Sequence, residues 1–280
     1  MGVRIPVSLA EHIEAESLFD LEDAMPEPIR RALGLATLRV GGGVALAVPN
    51  DPTRFWSRVL GLGLDEPITA RLIGQVCAFF RSHGMPSVTI QVAPSVLPDD
   101  WEAICARENI APGTSWVKLA ADVETVLANV NERPELAGHL RLAAVTADHA
   151  PQWAETMLTA FGMPIGPLTD MAAAVVGRPD WHAFAVWDGD AIVAGAQSYV
   201  YGEAASMFGA ATLPGARGHG AQTALITARA NAAAHAGCRW LVGETGAEAE
   251  GDHNSSLHNM LRLGFDVLYE RRNWIWNAEG

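Results

Sequence analysis

Leu213-Pro214-Gly215-Ala216-Arg217-Gly218-His219-Gly220-Ala221-Gln222-Thr223-Ala224-Leu225 decides how the second half of this 280-residue chain is read. Before it, Ala205-Ser206-Met207-Phe208-Gly209-Ala210-Ala211-Thr212 is a run of small and apolar residues suited to a strand. After it, Ala221 to Ala236 is alanine-rich and stops at Gly237, as a helix with a glycine terminator does. The stretch is therefore a strand-to-helix turn spaced by glycines. At a helix start the first N–H groups have no partner inside the helix, and the macrodipole places partial positive charge there. Gly218 and Gly220 leave those groups open to phosphate oxygens, while Arg217 and His219 add charge. A phosphorylated cofactor fits this chemistry. The turn lacks the Lys-Ser/Thr pair of a nucleotide-triphosphate loop and the G-x-G-x-x-G of a dinucleotide site.

The segment resembles the acetyl-CoA loop of the Gcn5-related N-acetyltransferases, the GNAT superfamily, whose pattern R/Q-x-x-G-x-G/A follows a strand and often a proline. Pro214, Arg217 and Gly220 fall on that pattern, and Gln222 stands where the second Gly or Ala is usual. The resemblance extends over residues 139–276 in the family's order of elements. Leu140 to Val145 reads as a first strand. Asp148-His149-Ala150-Pro151 supplies an N-cap and an early proline for a helix through Phe161, and a second helix covers Leu168 to Val176. His182 to Trp187 and Ala191 to Tyr201 are apolar strands joined by the hairpin signal Asp188-Gly189-Asp190. After the loop helix come a strand from Arg239 to Glu244 and the run Asn254 to Phe265, which resembles the fourth GNAT helix with Gly264 as its stop.

The length suits two such domains. Upstream, Leu35 to Val40 and Val44 to Val48 read as strands around Gly41-Gly42-Gly43. They are followed by Ser57 to Leu64, a loop at Asp65-Glu66-Pro67, a helix from Ile68 to Ser82, a strand from Ser87 to Val92 and a helix from Pro98 to Glu108. This order resembles a degenerate GNAT domain. The fold class expected is α/β (α+β), with two tandem GNAT-like domains, each a mixed, mostly antiparallel twisted sheet flanked by helices. The expected boundaries are a first domain over residues 1–125, a linker over 126–138 and a CoA-binding domain over 139–280. Where the second half has Arg217-Gly218-His219-Gly220, the first has Asp65-Glu66-Pro67. Carboxylates at a helix start favour the helix and repel a diphosphate, so only the second domain is expected to bind CoA.

Composition narrows the remaining classes. With 49% hydrophobic and 18% charged residues the chain can bury large cores. It has no segment resembling a membrane helix, and acidic residues stand near the N-terminus where a signal peptide would be basic, so a cytoplasmic location is expected. Cys77, Cys105 and Cys238 are odd in number and scattered, which suits buried thiols rather than a disulfide framework. The nine histidines have no paired metal-ligand spacing, and no metal is expected. A net charge of −13 disfavours nucleic acid and anionic membrane as partners and favours a cationic or neutral acceptor.

The resemblance implies direct transfer of an acyl group to a small or peptide amine in a ternary complex, with acetyl-CoA the first choice among acyl-CoA donors. It implies that backbone N–H groups of the fourth strand, around Ala211, Thr212 and Leu213, face the thioester carbonyl. It implies that the diphosphate rests on Arg217, Gly218, His219, Gly220, Ala221, Gln222 and Thr223, and that His253, Asn254 or Asn259 hydrogen-bonds pantetheine. The family's cofactor lies between the fourth and fifth strands, so Glu244 at the end of the fifth is the first candidate base and Glu203 the second. Trp153, Phe161, Met163 and Trp181 fall where the family's acceptor-lining helices lie, and equally suit a core. Met260 departs from the pattern. It occupies the position of the usual tyrosine, and a thioether cannot protonate the leaving thiolate. Tyr199, Tyr201, Tyr269, Ser255 and Ser256 remain as substitutes. Two other readings stay open: a non-catalytic acyl-CoA-binding or regulatory protein, and O-acyl transfer or thioester hydrolysis on the same fold.

After Phe265 only fifteen residues remain, enough for one long strand or two very short ones. The family commonly needs two. The last sheet position of the second half is therefore expected to be missing, or supplied by the first half or by a second chain in a homodimer.

Overall fold

A computed structural model describes residues 5–130 and 136–278. The chain divides into two compact units: Met1–Lys118 with Gly246–Ala249 and Leu268–Gly280, and Leu119–Thr245 with Glu250–Val267. Asn131, Glu132, Arg133 and Pro134 of the expected connector lie outside the described residues.

The first unit runs α1 (Val7–Asp23), α2 (Glu27–Leu33), β1 (Ala36–Val40), β2 (Gly43–Ala47), β3 (Arg58–Leu60), α3 (Ala70–Ser82), β4 (Ser87–Gln91), α4 (Trp101–Glu108) and β5 (Ile110–Asp122), whose last four residues belong to the second unit. The second unit continues with α5 (Val123–Val130), β6 (Leu140–Ala144), α6 (Ala150–Phe161), α7 (Pro167–Ala173), β7 (Trp181–Asp188), β8 (Ala191–Tyr201), β9 (Ala204–Ser206), β10 (Ala210–Thr212), α8 (Ala221–His235), β11 (Trp240–Gly246) and α9 (Ser255–Arg262). A final strand, β12 (Asp266–Asn277), returns to the first unit from Leu268 onward.

In the first unit the strand order is β1-β2-β3-β4-β12-β5, with β1–β2, β2–β3 and β4–β12 antiparallel and β3–β4 parallel. Strand β3 is shorter than Ser57 to Leu64 because Gly61 and Gly63 take φ of 75° and 85° and turn the chain out of the sheet. Helix α3 begins at Ala70, after Thr69 has capped it. Strand β12 supplies core as well as ladder. Trp276 is fully buried with Phe80, Val88 and Ile90, and Trp274 meets Trp101 edge-on at 5.5 Å between ring centroids. The residues after Phe265 thus form one long strand, and its pairing with β4 explains why the second unit does not build two strands from them.

Beneath α1 lies a closed ionic cluster. Arg271 on β12 donates to Glu11 at 2.6 Å and to Glu14 at 2.8 Å. Lys118 on β5 donates to Glu14, and the Tyr269 hydroxyl donates to Glu11 at 2.6 Å. Burial alone would push the Glu14 carboxyl up. Arg271 and Lys118 overcome that and hold it down at about 2.

In the second unit the order is β11-β9-β8-β7-β6, with β10 also pairing β8, and only β9 beside β11 is parallel. Helix α5 occupies the first residues of the expected connector. The hairpin between β7 and β8 turns at Gly189, as its sequence signal requires. On one sheet face Ala194 and Ala196 let α8 approach through Ala221 and Leu225. On the other, Gly195 admits Trp153 and Met157 of α6; any side chain there would collide with both.

Candidate functional site

The site begins with a break in a strand. Tyr199 on β8 pairs with Ser206 on β9, and the next rung runs from Gln197 N to Gly209 O at 3.0 Å. Two residues on β8 therefore span three on the opposing strand, a one-residue bulge at Met207-Phe208-Gly209 with Gly209 at φ 61°. Met207 N reaches Val242 O on β11 at 2.7 Å; beyond that rung β10 pairs with β8, and β11 runs on without it. Past the bulge β10 and β11 share no ladder, so the side of β10 turned away from β8, the cleft side, carries an unladdered backbone edge.

Alternation along β10 decides which groups face the cleft. Leu213 N is donated to Val193 O at 2.9 Å, so this N–H, expected at the thioester carbonyl, is already used. Ala211, opposite Gly195, has the same phase and points to β8. Of the three expected donors, Thr212 alone turns its N–H away from β8, and Ala210 shares its phase.

The chain then makes a short 3-10 turn over Pro214–Ala216 and enters α8. Gly218 and Gly220 have φ of 82° and 81°, and Gly220 is the N-cap with no side chain to fold over the helix end. The first α-helical bond is Ala224 N to Gly220 O at 3.0 Å, so the N–H groups of Ala221, Gln222 and Thr223 lie in the unsatisfied first turn. Arg217 Nε is 3.3 Å from Thr212 O, which ties the loop to β10 while the side chain stays exposed. His219 is exposed, and its ring lies edge-on to His139 at 5.8 Å, a neighbour absent from the sequence motif.

The other wall is β11 and α9. Asn254 caps α9, accepting from Ser256 N and Leu257 N, and its amide donates to Thr245 Oγ1 at 2.9 Å, fixing the helix start to the end of β11. Gln222 donates to Ser256 Oγ at 3.1 Å and accepts from Asn259, whose own oxygen accepts from Arg262. Gln222 and Asn259 thus link α8 to α9. Met260 is buried against Gly243, where an added methyl group would collide with its Cε. The usual tyrosine position is packed with thioether.

Strand registers sort the carboxylates. Val242 pairs with Ser206, and Ser206 with Tyr199, so Glu244 lies on the face of Tyr199, Gln197 and Gly195, opposite α8 and α9. It is half-buried at the cleft end of β11. Glu203 sits in the turn between β8 and β9, exposed, its carbonyl accepting from Arg239 N and Trp240 N where β11 begins. That is roughly 25 Å along the strands from Thr212, so Glu203 is removed from the site. Tyr201 is exposed at the same remote end, and Tyr269 is committed to Glu11 in the first unit. Trp153 and Trp181 are core, whereas Phe161 at the end of α6 and Ile165 on the connection to α7, the latter missed in the sequence, are exposed.

The corresponding turn of the first unit is closed by its own residues. Thr69 Oγ1 accepts from Leu72 N at 3.1 Å at the start of α3, Asp65 packs against Gly42, and His12 Nε2 lies 3.6 Å from Asp65.

No protein-family model and no curated protein matches the sequence. Solved structures do. A GCN5-related N-acetyltransferase from Kribbella flavida matches with a TM-score of 0.62 at 17% identity, over 99% of this chain and 98% of that one. A tandem GNAT protein from the clavulanic acid biosynthesis pathway matches with a TM-score of 0.60 at 16% identity, over 97% of each chain. A GCN5-related N-acetyltransferase from Sphaerobacter thermophilus matches with a TM-score of 0.58 at 15% identity, over 99% of this chain and 95% of that one. No helix among the described residues is long and apolar enough to cross a membrane. With mixed, mostly antiparallel strand pairing, a bulged strand and a glycine turn opening α8, the chain has the tandem GNAT fold.

Proposed function

We propose that the second unit is an acyl-CoA-dependent N-acyltransferase, with acetyl-CoA as the leading donor and a small or peptide amine as acceptor. The observation that carries this reading is the uncapped start of α8 at Gly220, which ends the same turn that leaves the free edge of β10. A diphosphate suits the first-turn N–H groups and Arg217, with His219 and His139 beside them. The Thr212 N–H suits the thioester oxygen as it gains negative charge. Glu244 is the group to take the proton of the attacking amine, directly or through water, as the new C–N bond forms and the C–S bond breaks. The departing sulfur finds Met260 and Met207 near Gly243, so its proton must come from another group or from solvent. The first unit, with its turn capped by Thr69, supports the fold and does not bind CoA.

Calorimetric titration with acetyl-CoA tests the reading, with one site expected and binding lost in Arg217→Glu. Thiol release against an amine library follows. Glu244→Gln should lower turnover about 100-fold with CoA affinity retained, whereas Glu203→Gln should leave both unchanged. No binding, or equal binding by Arg217→Glu, would end the cofactor assignment. The packing of Met260 favours one second reading, a non-catalytic acyl-CoA sensor, which would bind CoA and release no thiol with any amine. Release without amine would mean hydrolysis.

A further inference from the structure

Arg229 reads in the sequence as a polar residue on an alanine-rich helix, yet its side chain is among the buried ones, with 2% exposure. The hydrogen bonds of its guanidinium go to backbone carbonyls: Nε to Leu225 O at 3.1 Å, and one terminal nitrogen to Met207 O at 2.9 Å and Gln197 O at 3.3 Å. Burial pushes its pKa down to about 9, so the group is still charged at neutral pH. A buried cation is costly to desolvate, and an apolar side chain would fill a helix–sheet interface at less cost. What the guanidinium adds is specific to its partners. Met207 O belongs to the first residue of the bulge and Gln197 O to the strand opposite it, at the point where Met207 N makes the last rung to β11.

The same helix carries the glycine turn. Gly220 and Arg229 are nine residues apart on α8, about 13 Å along the axis. One rigid element therefore fixes both the diphosphate cradle and the bulge from which β10 departs. The spacing between them sets where a thioester carbonyl falls relative to the N–H groups of Ala210 and Thr212. Gly209 closes the bulge from the other side; its φ of 61° is strained for any other residue, and an added Cβ would come within 3.2 Å of the Gln197 side chain.

We infer that Arg229 is a positioning residue for acyl transfer, holding the bulge at Met207-Phe208-Gly209 so that the free edge of β10 meets the reacting carbonyl. The inference rests on the acyltransferase reading and assigns it a residue outside the cofactor loop. It contacts neither CoA nor the acceptor, so its loss should act on turnover rather than on cofactor affinity.

The test compares acetyl-CoA affinity by calorimetry with turnover by thiol release at saturating amine, in wild type, Arg229→Lys, Arg229→Met and Gly209→Ala. Arg229→Met should keep its CoA Kd within about threefold and lose at least about tenfold in kcat. Arg229→Lys should fall between, since an ammonium lacks the planar fork. Gly209→Ala, which disturbs the bulge without touching Arg229, should repeat the pattern and carries the test if Arg229→Met does not fold. A folded Arg229→Met or Gly209→Ala with wild-type kcat would overturn the inference, as would a loss of CoA affinity as large as the loss of kcat. Wild type that binds no acetyl-CoA would instead overturn the acyltransferase reading itself.

Discussion

The two units place a helix after a strand at the same point in their order of elements, and they finish the turn in opposite ways. Before α3 stand Asp65, Glu66 and Pro67, and Thr69 spends its hydroxyl on Leu72 N. Before α8 stand Arg217, Gly218, His219 and Gly220, and no side chain covers the helix end. The first unit also turns its charge inward, burying Glu11, Glu14, Lys118 and Arg271 together under α1. A helix start is a ligand site only when the protein leaves it unfinished, and in the first unit a threonine cap and an acidic turn both stand against that.

The largest expected effect breaks the inward half of this contrast. Arg271 is fully buried and bonds two carboxylates, so Arg271→Met should leave Glu11 and Glu14 short of charge and cost about 3–5 kcal/mol. The pH dependence has a definite sign. Glu14 is held at about 2, below the ordinary carboxylate value of 4.5, so it stabilises the fold above that value and the contribution is lost as pH falls towards 2. Acid denaturation of Arg271→Met should therefore begin at higher pH than in wild type. An unchanged acid midpoint would show that the cluster contributes nothing to stability.

Next in size is an exchange of the two helix starts. Gly220→Thr imports the cap of α3 into α8 at a residue with φ of 81°, covering the N–H groups and straining the turn. It should weaken acetyl-CoA binding roughly 100-fold, the equivalent of one or two lost bonds to a charged group. The reverse change, Thr69→Ala, should lower the stability of the first unit by about 1 kcal/mol and create no CoA site, because Asp65 and Glu66 remain. Measurable CoA binding by Thr69→Ala beyond that of the second unit would mean that the cap, not the acidic turn, keeps the first unit silent.

Much of this contrast is legible in the sequence, because its signals are local. The small-residue strand, the glycine turn, the alanine helix with Gly237 and the Asp188-Gly189-Asp190 hairpin all depend on neighbours within a few residues. Helix α1 is not legible in the same way. Glu11, Glu14 and Glu22 occupy its buried side and interrupt the apolar stripe that would announce it. The return of β12 to the first unit depends on a non-local ladder with β4, where Gln91 donates to Asn273 at 2.8 Å across 182 residues. Glu203 and Glu244 are both strand-end carboxylates in sequence, and only the register of β9 with β11 separates them by the length of the sheet. Arg229 is hidden for a related reason, since its partners are backbone carbonyls and carry no residue type.

The smallest effect concerns Glu22, another carboxyl that α1 buries, outside the cluster built on Arg271 and Lys118. It is fully buried on α1, and among the described residues neither carboxyl oxygen has a hydrogen-bond partner. Burial pushes its pKa well above the ordinary value, with Asp51 adding to the rise and the Arg58 and Arg30 guanidinium groups only partly opposing it. A carboxyl raised in the folded state loses stability as pH climbs from the ordinary carboxylate range through its folded value, the reverse of Glu14. Glu22→Gln keeps the shape and removes the ionisation. It should stabilise the protein at pH 7 to 8 by about 1 kcal/mol, or roughly 2–4 °C in Tm, and the gain should vanish near pH 4. A gain that persists into acid would place the cost of Glu22 in its packing rather than its charge. The first unit would then differ from the second in how it fills space, with charge following from that.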